Sequence, residues 1–384
     1  MSKIEGMLKR LCPNGVERKP LVQAVSVKRG VRVVKQQLAE TGVYPVYQNC
    51  LTAMGYYAES NCSGDTAFVI AAGAAGSVGY CDVDFWAADD CYYMVAPKEI
   101  NNKFLYYTMK SKEPLLLSKV RKASVPRLAR DVVESMEIPL PPRPVQDEIV
   151  KALDAMDAVV KSLEEERAAR QEQFEALRER MINFDESVER RQLAEVFDLR
   201  NGYTPSKANS SFWDGGTIPW FRMEDIRENG RILSDAILHV TDRSIKGELF
   251  SADSLIVSTS ATIGEHAWIT VPALANQRFT NLTISTEYKS RLLMPFVFYL
   301  GFAIDDYCRK NTCKGNFASV DMGKFKQFPI PLPSLSVQKK IAAQLDAFAA
   351  VVAALDEEIA ARREQFAGWL EKLMKFDARE VAVA

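Results

Sequence analysis

Histidine is nearly missing from this chain: there are two in 384 residues. His239 and His266 have no H-E-x-x-H motif or cysteine at ligand spacing, so they read as structural rather than metal-binding. The seven cysteines, Cys12, Cys50, Cys62, Cys81, Cys91, Cys308 and Cys313, form an odd set without a C-x-x-C pair. That argues against a disulfide framework or a structural zinc site, and they read as free thiols. No run approaches the roughly 18 to 20 apolar residues of a membrane span, and the first residues, MSKIEGMLKRLCPNGVE, have no apolar core after their charges. The expected location is the cytoplasm.

Signatures of catalysis are also missing. There is no G-x-x-x-x-G-K-[ST] phosphate loop, no G-x-G-x-x-G fingerprint and no Asn-Pro-Pro-Tyr-like tetrad for amino methylation. Gly73, Gly76 and Gly79 have the spacing of a loop turn. Ser258, Ser260 and Thr262 lack a G-x-S-x-G elbow, and hydroxyls at a strand end suit hydrogen bonds to bases or phosphates. Asp147, Glu148 and Lys151 imitate a nuclease cluster but fall on the first turns of a helix, where a solvated face accounts for them. Nor is there an excess of charge: the net is −1. Lys+Arg against Asp+Glu is 18 to 14 in residues 1–137, 9 to 13 in 138–192, 15 to 15 in 193–329 and 7 to 8 in 330–384.

What the chain does have is a repeat. Residues 138–185 align without a gap to 330–377, at a constant offset of 192, with 25 identities in 48 positions. Each copy opens on a proline-rich IPLP run. A helix start is expected near Pro144 in the first and Ser336 in the second. Apolar residues then recur at alternating steps of four and three: Ile149, Leu153, Met156, Val160, Leu163, then Phe174, Leu177, Met181, Phe184. The second copy keeps the phase through Ile341, Leu345, Phe348, Val352, Leu355, Ile359, Phe366, Trp369, Leu373 and Phe376. This is a coiled-coil seam, interrupted only by Gly368 and by polar positions at Arg167, Arg170 and Arg362. About 40 residues at about 1.5 Å each give a rod of roughly 60 Å. The phase match favours pairing of the two helices with each other over packing of each on its own domain.

Residues 1–137 and 193–329 differ from the helices, being rich in short β-type runs, glycine, aromatics and turn residues, and read as α+β domains. The duplication continues into them faintly. DTAFVIAAGAAG, Asp65 to Gly76, matches DSLIVSTSATIG, Asp253 to Gly264, and LVQAVSVKRG ending at Gly30 parallels LAEVFDLRNG ending at Gly202. Ala88-Asp89-Asp90 is aligned with Ala275-Asn276-Gln277. Two domains that read different targets must differ where they touch them, whereas spacer helices must keep a seam.

The gapless helical repeat beginning IPLP-x-x-x-VQ, the segments YPVYQN and IPWFRMEDI, and the strand-loop signatures VSTSATIG and FWAADDCYY resemble the specificity subunit of type I restriction-modification systems across nearly the whole chain. The resemblance implies two mixed α/β target recognition domains, 1–137 and 193–329, joined by two long antiparallel coiled-coil helices, 138–192 and 330–384, in a pseudo-twofold tandem repeat. The duplicated ends also suggest that the stretch before Leu21 packs near the end of the second helix. The resemblance further implies double-stranded DNA with a split recognition site as target, two methyltransferase subunits as partners, and nuclease-translocase subunits in a larger complex. This chain then needs no cofactor; S-adenosylmethionine belongs to the methyltransferase, ATP and Mg to a restriction partner. A fused methyltransferase or nuclease is a rival reading, but two recognition domains leave no room for a catalytic one. A protein-binding coiled-coil scaffold is the other.

Base reading calls for Arg, Lys, Asn, Gln, Ser or Thr on loops, and phosphate contacts call for Lys, Arg and backbone N–H groups. In the first domain the candidates are Lys28, Arg29, Arg32, Lys35, Gln48, Asn49, Lys119, Arg121, Lys122, Ser124 and Arg127. In the second they are Arg200, Tyr203, Lys207, Arg222, Thr259, Ser260, Thr262, Arg278, Lys314 and Asn316. Trp86, Trp213 and Trp220 are assigned to core. The near-neutral balance predicts weak DNA binding by the isolated chain, because phosphate neutralisation supplies much of the affinity.

Overall fold

The structure, a computed structural model, describes residues 2–313 and 318–377. The chain divides into two compact units: residues 1–165 with 357–384, and residues 166–356. Each combines one globular part with a portion of both long helices, Arg143–Ile182 and Leu335–Leu373. The helices begin at Arg143 and Leu335, one residue before Pro144 and Ser336, so Ser336 lies inside its helix instead of capping it.

In the first unit a four-stranded antiparallel sheet runs in the order Ser26–Arg29, Cys91–Val95, Thr66–Ile70, Val78–Cys81. Its strand Thr66–Ile70 is buried at every residue, which is why TAFVI reads as a continuous run instead of alternating. A smaller sheet joins Tyr56–Tyr57, Tyr44–Tyr47 and, in parallel, Trp86–Ala87. Helix Asn102–Ser111, capped by the Asn101 side chain, packs against the larger sheet.

The second unit repeats the plan. Its larger sheet runs Phe197–Asn201, Phe279–Ile284, Ser254–Ser258, His266–Ile269, with Ile232–Leu233 added in parallel at the edge. The smaller one joins His239–Val240, Ile218–Phe221 and Leu274–Ala275, the last again in parallel. The duplication reaches single backbone angles. Asp65 and Asp253 carry φ of 54° and 55°, Gly73 and Ala261 carry 85° and 64°, and Gly76 and Gly264 carry 91° and 81°. Matching non-glycine residues in the left-handed region, where L side chains rarely sit, mark one inherited turn.

Where helix meets domain, both units use the same joint. Buried Gln146 accepts from Asn101 N (2.8 Å) and donates to Pro141 O (2.8 Å) and Glu99 O (3.2 Å). Buried Gln338 accepts from Leu293 N (2.9 Å) and donates to Arg291 O (2.7 Å) and Pro333 O (2.8 Å). Tyr107 donates to Asp154 and Tyr299 to Asp346, each at 2.6 Å.

Within each unit the two long helices do pair, and they also pack on the globular part, so the two packing schemes weighed for the seam coexist. In the first unit Val145, Ile149 and Leu153 share a core with Leu370, Leu373, Met374 and Phe376, and with Phe104 and Tyr107 of the domain. Ile4 and Val16 join that core, and Val16 N–H donates to Asp377 O (2.9 Å), so the N-terminal stretch does lie against the end of the second helix. In the second unit Phe174 stacks on Phe348 (5.8 Å between centroids) and meets Tyr299 edge-on. The polar seam positions separate by role. Arg167 donates to Asp356 across the second unit's pair through Nε and Nη2 (3.0 and 3.2 Å), and Arg363 bonds Glu164 in the first. Arg170 and Arg362 instead bond Glu166 and Gln173, and Glu358 and Gln365, along their own helices.

Candidate nucleic-acid interface

In each unit the strand ending at Ile70 or Ser258 runs into a small-residue loop, 71–76 or 259–264, held between two other loops chiefly by main-chain bonds. On one side Ala71 N–H donates to Asp90 O (2.6 Å), and Thr259 N–H to Arg278 O (2.8 Å). On the other, Leu128 N–H donates to Ala71 O (2.8 Å) and Gly73 N–H to Pro126 O (3.1 Å). The counterparts are Val320 to Thr259 O (2.9 Å) and Ala261 to Ala318 O (3.0 Å). The outer loop closes on itself through Arg121 and Arg127 in the first unit and through Cys313 and Ser319 in the second. Two equivalent three-loop rims result.

Glycine makes the rim possible. A Cβ on Gly30 would lie 2.2 Å from Ala88 O and 2.3 Å from Ala87 O; on Gly202 it would lie 2.1 Å from Asn276 O and 2.4 Å from Ala275 O. Val31 and Tyr203 N–H groups donate to Ala87 O and Ala275 O. These contacts correct the sequence alignment by one residue. Ala88-Asp89-Asp90 corresponds to Asn276-Gln277-Arg278, not to Ala275-Asn276-Gln277. The identical Ala-x-x pattern had drawn the register to the wrong alanine.

Of the candidates in the first unit, Arg29, Asn49, Arg121, Ser124 and Arg127 are gathered at the rim. Arg29 Nε donates to Asp89 O (2.7 Å), Asn49 O accepts from Ala74 N–H (2.8 Å), and Arg121, Ser124 and Arg127 line an open pocket with Tyr92. Gln48 is drawn in through its carbonyl, which accepts from the Cys91 thiol (3.2 Å). Burial, and then the Asp90 charge, push that thiol well above its ordinary value, so it stays a protonated donor. Lys28, Arg32, Lys35, Lys119 and Lys122 are exposed on the strand and loops nearby.

In the second unit Arg278 is exposed at the rim, with Ser260 and Thr262 half-buried in the loop. Thr259 is buried, and its hydroxyl pairs with that of Thr280 (2.9 Å). Ser258 is fully buried with no partner for its Oγ among the described residues, which leaves it no outward face. Tyr203 has its hydroxyl taken up by Ser244 O (3.0 Å) and Lys246 N–H (2.8 Å). Arg200 lies over Phe250 (4.9 Å) and donates to Glu248 O, while Arg222 keeps Nε buried without a hydrogen bond among the described residues, 3.9 Å from the Glu224 carboxylate. Lys207 is exposed on its loop. Lys314 and Asn316 lie outside the described residues. Asp89, Asp90 and Gln277, not among the sequence candidates, also lie on the rim, where the corrected register aligns Asp89 with Gln277 and Asp90 with Arg278.

The other chemistry-bearing residues are structural. Trp220 is buried, meets Trp213 edge-on at 5.0 Å and donates to Tyr203 O; Trp213 and Trp86, half-buried, donate to Ser206 O and Val31 O and pack at the edges of the two smaller apolar clusters. Asp147 is held by Asn101 and Arg143, and Glu148 by Lys3. His239 pairs with Asp235 (2.7 Å). His266 is not solitary: buried, it shares a hydrogen bond with Asp305 (2.6 Å), a residue also held by Arg231 (3.2 Å). Among the described residues no group of carboxylate, histidine and cysteine side chains could hold a metal, and no helix is long and apolar enough to cross a membrane.

Paired polar rims on duplicated sheets, in two units that each take a portion of the same two long helices, have the composition that a tandem nucleic-acid reader requires. The chain belongs to the family described as type I restriction modification DNA specificity domain, whose model matches it twice, over residues 13–172 and 185–362. Its role is DNA target specificity, and in that family the specificity subunit is the non-catalytic member of the complex. It is 48% identical over 206 residues to the type I restriction enzyme EcoprrI specificity subunit of Escherichia coli, a match covering 50% of this chain and 51% of that one. It is 29% identical over 325 residues to the EcoR124I/EcoR124II specificity subunit of Escherichia coli, with 78% of each chain covered. The crystal structure of a type I S subunit from M. genitalium superposes with a TM-score of 0.55 at 15% identity, over 94% of this chain and 96% of that one, which shows the shared fold.

Proposed function

We propose that each globular part reads one half of a split site in double-stranded DNA and that the chain lends this specificity to two methyltransferase subunits, with nuclease-translocase subunits joining a larger complex. The functional bounds of this reading are 1–137 and 193–329 for the readers and 138–192 and 330–384 for the helices that carry the partners. The observation that carries it is the pair of equivalent rims with different side chains: one inherited backbone presenting two chemical surfaces is what two unlike half-sites require. S-adenosylmethionine, ATP and Mg are then needs of the partners, and the complex works in the cytoplasm, where the DNA is.

The test is to replace residues 193–329 with the corresponding segment of a relative, assemble the complex with its methyltransferase subunits, and map the methylated motif. One half of the motif changes and the other stays. A motif changed throughout, or methylation indifferent to sequence, overturns the reading; the second result favours a protein-binding scaffold.

A further inference from the structure

We propose that the turn carrying Asp89 and Asp90, and its counterpart carrying Gln277 and Arg278, are the positions at which the two halves select their bases. The first turn offers carboxylate acceptors to an exocyclic base amino group; the second offers an amide and a guanidinium to the acceptor edge of a purine. This rests on the reading that both rims face DNA and adds to it the residues and the chemistry of choice.

The two turns occupy the same place. Each accepts, through the carbonyl of Asp90 or Arg278, the bond that anchors the neighbouring loop, and each is approached by the glycine that follows an edge strand of the larger sheet, Gly30 or Gly202. The fold thus anchors both turns to the neighbouring loop through the carbonyl of Asp90 or Arg278, a bond that does not depend on the identity of their side chains. Differ they do: the first turn carries two carboxylates, the second an amide and a guanidinium. The first unit sets Asp89 and Asp90 on the turn against Arg121 and Arg127 on the outer loop. The second sets Gln277 and Arg278 against Cys313 and Ser319.

The side chains are also available. Among the described residues neither carboxylate of Asp89 and Asp90 accepts a hydrogen bond, and Arg278 is exposed and makes no ion pair. Gln277 accepts from the Thr204 hydroxyl through Oε1, which directs its two amide donors elsewhere.

Carboxylates on a surface facing a polyanion are repelled by every phosphate, and a base amino group is the nucleic-acid partner that rewards them. Cytosine N4 is the usual one in the major groove, adenine N6 the other donor there. Arg29 lies against the acidic turn, and Arg121 and Arg127 on the outer loop of the same rim add positive charge that offsets the repulsion. In the second unit a guanidinium matches guanine O6 and N7, and an amide matches adenine N6 and N7.

The experiment uses the full chain assembled with its methyltransferase subunits. Binding is measured against duplexes carrying every single base-pair substitution through the motif that the wild-type complex methylates. Asp90→Asn and Asp89→Asn keep side-chain shape and turn a pure acceptor into a group that also donates; Arg278→Gln shortens the opposite reader. For either Asp variant we expect discrimination to shift about tenfold or more at one or two base pairs of one half-site, with the other half unchanged. Arg278→Gln should do the reverse. An unaltered profile, or uniform weakening at all positions up to complete loss of binding, overturns the inference. A wild-type complex with no base preference would sink the underlying reading instead.

Discussion

Gly30 and Gly202 show how little freedom the rim allows a single residue. A methyl group on either would penetrate a neighbouring carbonyl oxygen, at 2.2 and 2.1 Å, and the obstacle is backbone, which cannot rotate aside. Gly30→Ala and Gly202→Ala should each lower stability by about 3 kcal/mol, at the upper end of overpacking costs. Gly368, with nothing within 4 Å of a built Cβ and a place inside the second long helix, should behave oppositely, gaining about 0.5–1 kcal/mol as alanine. Urea unfolding of the three variants checks both signs. The thiols sort by burial in the same way. Burial pushes Cys62 and Cys308 up to about 12, so at pH 8 they stay protonated and enclosed, whereas exposed Cys313 should react first with a thiol reagent. Because these folded-state values lie above the ordinary 9.0, their contribution is present below about pH 9 and is lost as pH climbs toward 12. Both glycines were legible in the sequence, since each ends a duplicated strand. The partner of His266 was not, because Asp305 lies 39 positions away on another element and no local pattern joins them.

Among elements, the long helices were the most legible, because a sustained apolar phase leaves few alternatives. The structure adds that the seam does two jobs: Phe174 belongs to a cluster with Leu345 of the other helix and with Tyr299 and Leu300 of the domain. Removing such a side chain empties a junction of three elements. Phe174→Ala should cost about 3–5 kcal/mol. The exposed Arg167–Asp356 pair, by contrast, should show a coupling of about 0–1 kcal/mol in a double-mutant cycle and mainly fix register. The short strands were less legible. The parallel pairings of Val46 with Trp86 and Trp220 with Leu274 join two-residue elements to distant partners, and propensity carries no such information.

For the molecule as a whole, charge is the governing quantity. A chain of net −1 has little general attraction for a polyanion, yet it carries Arg121, Arg127 and Arg278 on its rims. Binding by the isolated chain should therefore be weak and fall steeply with salt, and should tighten when the methyltransferase subunits supply phosphate contacts. Titration at 50 and 200 mM salt, with and without those subunits, checks it. Tight, salt-insensitive binding by the chain alone would contradict it.

Gln146 and Gln338 touch their domains only through peptide groups: the amide of residue 101 or 293 and the carbonyl of residue 99 or 291. That grip on peptide groups is blind to side-chain identity, whereas the Tyr107–Asp154 and Tyr299–Asp346 bonds and the apolar contacts of Phe104, Tyr107 and Tyr299 with the helices are not. An exchanged segment is therefore seated when it keeps that tyrosine and its apolar neighbours, and on that condition a new specificity can be acquired in one recombination event, without matching changes in the helices.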